Sequence, residues 1–214
     1  MPPAARSRRS YDQYCAAARA LDAVGDRWTL LIVRELLVGP RRYTDLHADL
    51  PGVSTDVLAS RLKDMEREGL TTRRRLPPPS AAYVYELTER GRTLLPVLQA
   101  LATWGAPALQ ERRPTDAVRA HWFALPLLRA LAALGVEGVL EVHLDEGEFH
   151  VSLGGGRESY GDGPAPAEPD ARMALDAETC VEVGRGASTV GEGVRAGRIE
   201  LTGEGVLAKA LRAS

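Results

Sequence analysis

The sequence predicts two domains of different class, a mainly α amino-terminal domain followed by an α+β carboxy-terminal one. Three observations carry this. Through the first hundred or so residues the apolar positions recur at three- and four-residue steps, as on one face of a helix. Beyond Arg112-Arg113-Pro114 the composition changes, with most of the 21 glycines and few Lys or Arg, and hairpin-like strands join the helices. The charge also changes sign there: residues 1–113 carry 18 Lys and Arg against 13 Asp and Glu, net +5, and residues 114–214 carry 9 against 16, net −7. A basic segment beside an acidic one predicts a polyanionic partner for the first and a different partner for the second.

Composition narrows the class. At 214 residues, 44% hydrophobic and 26% charged, the chain has the makeup of a globular protein of two ordinary domains. No apolar run approaches the roughly 20 residues that span a bilayer. Arg6, Arg8 and Arg9 lie in a start without the apolar stretch of a secretion signal. Residues 1–10 are therefore expected to be a flexible basic N-terminus, and the protein is expected to be cytoplasmic with no membrane partner. Cys15 and Cys180 are the only cysteines, which excludes a disulfide framework and paired-cysteine metal motifs. No Gly-x-Ser-x-Gly elbow, phosphate-binding loop or paired acid and base stands out, so neither an enzyme nor a cofactor is expected.

Tyr14, Ala17, Ala18, Leu21 and Val24 share a helical face that Gly25 ends. Asp26 is placed to cap a second helix, along which Trp28, Leu31, Ile32, Glu35 and Leu36 lie, with Trp28 and the aliphatic residues buried. Gly39-Pro40 stops it, and Tyr43 to Leu50 forms a short helix closed by Pro51-Gly52.

The decisive segment is Ser54 to Gly69. Ser54 is an N-cap candidate, and Leu58, Leu62 and Met65 form an inward stripe at i, i+4 and i+7. The opposite face carries Thr55, Asp56, Ala59, Ser60 and Lys63, small and polar groups of the kind that read base edges in a major groove. Asp56 has two readings, a first-turn partner of the helix dipole or an acceptor from cytosine. Leu70 to Leu76 then reads as a strand, Pro77-Pro78-Pro79-Ser80 as a turn, and Tyr83 to Leu87 as a returning strand. Helix, strand, proline-rich tip and strand make a wing. Arg73, Arg74 and Arg75 beside its tip suit phosphate contacts, as do Arg41, Arg42, Tyr43 and Ser54 near the helix starts. A solvated strand edge is the other reading of the three arginines. Thr88 caps a following helix with Leu94, Leu95, Leu98, Leu101 and Trp104 along one face.

Cys15, the Leu21 to Leu37 run, Gly39-Pro40-Arg41-Arg42-Tyr43, Leu50-Pro51-Gly52-Val53-Ser54, Leu58 to Lys63, Glu68-Gly69-Leu70 and Tyr85 to Gly91 resemble the HxlR-type winged helix-turn-helix regulators. The resemblance covers about half of the chain, and 11–113 is taken as this DNA-binding and dimerisation domain. It implies a homodimer on an inverted-repeat operator, with Tyr11 to Val24 and Thr88 to Leu109 as dimer helices and Tyr14, Leu94, Leu98, Leu101 and Trp104 at the interface. Some members use the first Cys as a sensor of oxidants or electrophiles, which requires an accessible, thiolate-prone sulfur. Here the residue after it is Ala16, where the family often has Pro, and a small buried hydrophobe is the other reading of Cys15.

In residues 114–214, Ala117 to Leu134 reads as a helix bent at Pro126. Gly138 to Leu144 and Glu148 to Leu153 flank Asp145-Glu146-Gly147 as a hairpin, with Leu140, Val142, Leu144, Phe149, Val151 and Leu153 on one face. A tip at Glu146-Gly147 places His143 opposite His150, yet no third ligand accompanies them and no metal is expected. Ala171 to Asp176 is strand-like, Ala177 to Val183 and Ser188 to Ala196 are helical, and after Gly197 to Gly203 a last helix runs from Glu204 to Leu211. The segments Asp176 to Cys180 and Val194 to Gly203 resemble the closing part of sterol-carrier-protein-like domains, in which helices over a curved sheet enclose an apolar tunnel. By that resemblance Trp122, Phe123, Leu140, Val142, Phe149, Val151, Met173 and Leu207 line a ligand pocket; a filled core explains the same residues. The expectation is a regulator whose DNA binding responds to an apolar effector in this sterol-carrier-like domain. A domain used only for oligomerisation is the alternative, and thiol sensing through Cys15 is a third.

Overall fold

The computed structural model describes residues 10–109, 113, 115–156 and 158–214. Arg6, Arg8 and Arg9 of the expected basic N-terminus lie outside the described residues, as do Arg112 and Pro114 at the expected junction. Contacts divide the chain into two compact units, Met1–Leu36 with Pro40–Leu94, and Leu37–Gly39 with Leu95–Ser214.

The first unit builds from α1 (Ala16–Val24) and α2 (Thr29–Leu37), joined at Gly25. α1 starts later than the expected Tyr11. Asp12 has a positive φ of 52°, and Cys15 is extended at the N-cap. Asp22 instead holds the preceding segment, taking the Tyr11 amide at 2.9 Å and the Ser10 hydroxyl at 3.1 Å. In α2, Ile32, Val33 and Leu36 have no exposure. Trp28 precedes the helix and is half-buried, with the Arg27 guanidinium 5.4 Å from its ring centre. Glu35 is also wholly buried, and Arg34 pairs with it at 2.6 Å, as a carboxylate removed from water requires. Asp26, expected as a cap, grips Arg61 with its carboxylate, while its carbonyl accepts from the Thr29 amide at 3.1 Å.

α3 (Tyr43–Asp49), α4 (Thr55–Arg67), β2 (Thr71–Arg75), β3 (Tyr83–Leu87) and α5 (Glu89–Arg92) follow, after a two-residue strand β1 (Arg41–Arg42). β1 was not expected. It exists because Arg41 pairs with Tyr85 and Arg42 with Val84, giving a three-stranded antiparallel sheet of order β1-β3-β2. This is the winged helix-turn-helix arrangement. Thr88 caps α5 as expected, accepting from the Gly91 amide at 3.1 Å, but α5 does not continue to Leu109. The helical path breaks at Thr93-Leu94 and restarts as α6 (Leu95–Gly105), because Pro96 lacks the amide a continuous helix needs and its ring would meet the Arg92 carbonyl.

In the second unit α6 packs on α7 (Ala124–Ala132), with Arg129 donating to the Thr103 hydroxyl. The expected helix from Ala117 is a 3-10 turn (Ala120–Phe123) leading into α7. Pro126 stands in the first turn of α7 and not inside a longer helix, and there an amide has no partner within the helix to lose. β4 (Gly138–Leu144), β5 (Gly147–Leu153), β6 (Ser159–Asp162), β7 (Ala171–Leu175), α8 (Ala177–Arg185), α9 (Val190–Arg195), β8 (Ile199–Thr202) and α10 (Val206–Ala213) complete it. The sheet runs β6-β5-β4-β7-β8, with β4 and β7 parallel, so the region is α+β.

The expected apolar face is buried: Leu140, Val142, Phe149 and Val151 have no exposure, and Leu144 and Leu153 retain 9% and 6%. The hairpin register is not as expected. Leu144 opposes Gly147 across a two-residue turn at Asp145-Glu146, which sets His143 opposite Glu148 and His150 opposite Glu141. The two imidazoles are thus separated, His143 lying 3.0 Å from Glu141 and 3.3 Å from Glu148, and His150 3.1 Å from the Gly163 carbonyl. Among the described residues no cluster is placed to hold a metal ion. No described helix is long and apolar enough to cross a membrane.

Candidate DNA interface

The interface is built on α4. The Ser54 hydroxyl accepts from the Val57 amide at 3.3 Å, satisfying one of the free amides at the helix start. Leu58, Leu62 and Met65 are at most 1% exposed. Burying three such side chains contributes on the order of 1.5–3 kcal/mol each and fixes which face of α4 turns outward. That face carries Asp56, Ser60 and Lys63, all exposed, flanked by Thr55, exposed, and Ala59, half-buried. Arg61 locks the helix from its side, reaching Asp26 in the turn before α2 and Asp64 at 2.7 Å.

Two residues of this face escaped sequence reasoning. Val57 is 40% exposed and is an apolar group of the kind that meets a thymine methyl. Arg67 continues the Ser60 and Lys63 line by one turn, with Asp64 2.6 Å from its guanidinium. Helical spacing from Ser60 to Lys63 to Arg67 was the signal available for the second.

Tyr43, expected at a phosphate, has its hydroxyl engaged within the protein. Its hydroxyl donates to the Thr55 carbonyl at 2.7 Å, and a phenol has one proton to give. Its ring stacks on His47 at 6.4 Å, so Tyr43 ties the start of α3 to the first residue of α4. Arg42 lies exposed at the end of β1, its guanidinium 3.3 Å from the Ser80 hydroxyl and its amide donating to Asp45 at 3.2 Å. Arg41, its neighbour in β1, is half-buried.

On the wing, Arg73, Arg74 and Arg75 face Tyr85, Val84 and Tyr83 across the ladder. All three are exposed but not equivalent. The Arg73 guanidinium sits 4.0 Å from the centre of the Tyr83 ring, a cation-π contact worth about 0.5–1 kcal/mol at an exposed site. Arg74 is held by Glu86, with Nε 3.2 Å from Oε1 and 3.3 Å from Oε2. No partner for Arg75 is found among the described residues.

The wing is tied to α4 through Thr88, whose hydroxyl donates to the Gly69 carbonyl at 2.6 Å. Gly69 follows α4 with φ of +68°, a conformation a side chain strains, and so turns the chain from α4 into β2.

A capped helix with one buried stripe and one polar face, beside a short wing bearing three arginines, defines a helix-turn-helix DNA-binding protein. A model of the HxlR-like helix-turn-helix family matches residues 23–113. The chain is 38% identical over 86 residues to an uncharacterised helix-turn-helix transcriptional regulator, YvaP, of Bacillus subtilis, covering 40% of this chain and 80% of that protein. It is 35% identical over 85 residues to the regulator YodB of the same organism, covering 40% of this chain and 76% of YodB. The structure of reduced YodB superposes on 49% of this chain and all of that one, at 31% identity and a TM-score of 0.41. The chain belongs to the HxlR-like helix-turn-helix family, and it is a transcriptional regulator.

The other sequence-predicted residues fall as follows. Tyr14 and Trp104 are strongly exposed, at 107% and 84%, and Leu101 at 43%, whereas Leu94 is half-buried and Leu98 is buried within the second unit. Of the pocket residues, Leu140, Val142, Phe149, Val151 and Met173 have no exposure and Leu207 has 1%, so in this structure they are packed core; Trp122 and Phe123 are half-buried at its border. Cys15 is exposed at the N-cap of α1, not a buried hydrophobe. The amides of Ala18 and Ala17 stabilise its thiolate and hold its pKa below the usual thiol range. Cys180 is its opposite, buried in α8 with its pKa pushed up to about 12 by desolvation.

Proposed function

We propose that the protein binds an inverted-repeat operator as a homodimer and regulates transcription there. Thr55, Asp56, Ala59, Ser60 and Lys63 read base edges, while Ser54, Arg41, Arg42, Arg73 and Arg75 anchor phosphates. The exposed polar face of α4, fixed by its buried stripe, is the observation that carries this reading. Two such helices must meet successive major-groove faces about 34–36 Å apart, which a two-fold dimer supplies. Tyr14, Leu101 and Trp104 support dimerisation, because large apolar groups this exposed on a lone chain suit burial against a second copy. Trp104→Glu is expected to give a monomer by analytical ultracentrifugation and to weaken binding to an inverted repeat by about 100-fold or more, with little change in melting temperature. A dimer of unchanged affinity contradicts the interface.

The second unit is read as sterol-carrier-like, with an apolar effector that shifts the separation of the two reading helices. Its support is the five-stranded sheet with a continuous apolar face. Because that face is closed, the effector must displace core contacts to enter. Native mass spectrometry of the purified dimer is expected to find a co-purified apolar molecule; a dimer of bare protein mass points instead to a unit used for oligomerisation.

The exposure of Cys15 and its stabilised thiolate favour a further reading, thiol-based sensing of oxidants or electrophiles. In the native protein, iodoacetamide is expected to alkylate Cys15 but not Cys180, with a rate that rises with pH through a midpoint below that of an ordinary cysteine. A Cys15 that reacts only after unfolding ends the sensor reading.

A further inference from the structure

We infer that Glu86 is a built-in competitor for DNA phosphate, withholding Arg74 from the backbone and so setting how strongly the wing binds. The inference rests on the proposed DNA reading of the wing. Glu86 stands on β3 opposite Thr72, one diagonal from Arg74 on β2, and Arg74 turns toward it. Three donor-acceptor approaches join them: Nε to Oε1 at 3.2 Å, Nε to Oε2 at 3.3 Å and Nη2 to Oε2 at 3.3 Å. The carboxylate thus meets the Nε–Nη2 edge of the guanidinium, one of the two on which a phosphate forms a bidentate pair. Both side chains remain in contact with water, 46% and 25% exposed, so the pair adds little to folding. Its consequence falls on binding: a phosphate reaching Arg74 must displace a like charge and then lie beside it. The neighbouring arginines escape this. Arg73 is spread over a neutral ring, and Arg75 has no acidic partner among the described residues.

Each phosphate neutralised steepens the fall of log affinity with log salt by about 0.9. Binding of the full-length protein to a fluorescein-labelled mixed-sequence duplex, followed by anisotropy from 50 to 200 mM salt, therefore separates the roles. Glu86→Gln is expected to raise affinity several-fold at 0.1 M salt and to steepen the slope by about 0.9. Arg74→Ala is expected to leave the wild-type slope nearly unchanged but to abolish the gain when combined with Glu86→Gln. An unchanged slope in a folded Glu86→Gln, or an Arg74→Ala that alone flattens the wild-type slope by about 0.9, overturns the inference. An Arg74→Ala that flattens the wild-type slope overturns the inference even if Glu86→Gln does not fold. Arg75→Ala separates this failure from that of the underlying reading. It should flatten the slope by about 0.9 in every background, and if it does not, the reading of Arg75 as a phosphate anchor fails whatever Glu86 does.

Discussion

Gly91→Ala is expected to destabilise the winged unit by about 2–3 kcal/mol, although alanine favours a helix over glycine by about 1 kcal/mol. A Cβ at Gly91 would lie 2.1 Å from the Leu70 carbonyl oxygen, 3.1 Å from its carbon and 3.0 Å from Leu87 Cδ2. The main obstacle is backbone and cannot rotate away. The same carbonyl accepts from the Thr88 amide at 3.0 Å, so the displaced group is the joint between α4, the wing and α5. Faster hydrogen exchange at the Thr88 amide, with a lower urea midpoint and weaker DNA binding, is the expected signature. A variant as stable as the wild type contradicts the close approach.

The second large effect is electrostatic. Replacing Arg42, Arg73 and Arg75 together with alanine should flatten the salt slope of DNA binding by about 2.7 and weaken binding at 0.1 M salt by roughly a few hundred-fold, alike for every sequence. The three positions are exposed around one small sheet, where their loss removes charge without opening a core. Phosphate anchors carry no sequence information, so the ratio of specific to non-specific affinity should stay near its original value. A lost ratio with an unchanged slope would assign these arginines to base reading.

What the sequence disclosed was what is local. The Ser54 cap, the Leu58, Leu62 and Met65 stripe and the Thr88 cap all follow from residues within one or two helical turns, and the structure has each of them. What escaped depends on partners far along the chain. β1 is a strand only because Tyr85 and Val84 come to meet Arg41 and Arg42, more than forty residues on. The Arg74 pairing needs the hairpin register, as does the separation of His143 from His150, where a two-residue turn moves each histidine opposite a carboxylate. The break before α6 was written in Pro96, but the leucine periodicity on both sides masked it. The exposure of Cys15 was one of two readings that the sequence left open, because an unpaired cysteine near a helix start is commonly buried and only the extended backbone at the N-cap sets it in solvent. The packing of Leu140, Val142, Phe149 and Met173 into a closed core follows from tertiary volume, which no spacing encodes.

In the proposed complex the exposed face of α4 reads sequence while the arginines around the wing only hold. Selection of bound duplexes from a random-sequence pool, by the wild type and by a Thr55→Ala, Ser60→Ala, Lys63→Ala variant, separates the two roles. The wild type is expected to enrich an inverted repeat with half-sites about one helical turn apart, and the variant to keep salt-dependent binding while enriching no sequence. Enrichment of the same repeat by both proteins, or of none by the wild type, would contradict this division of roles.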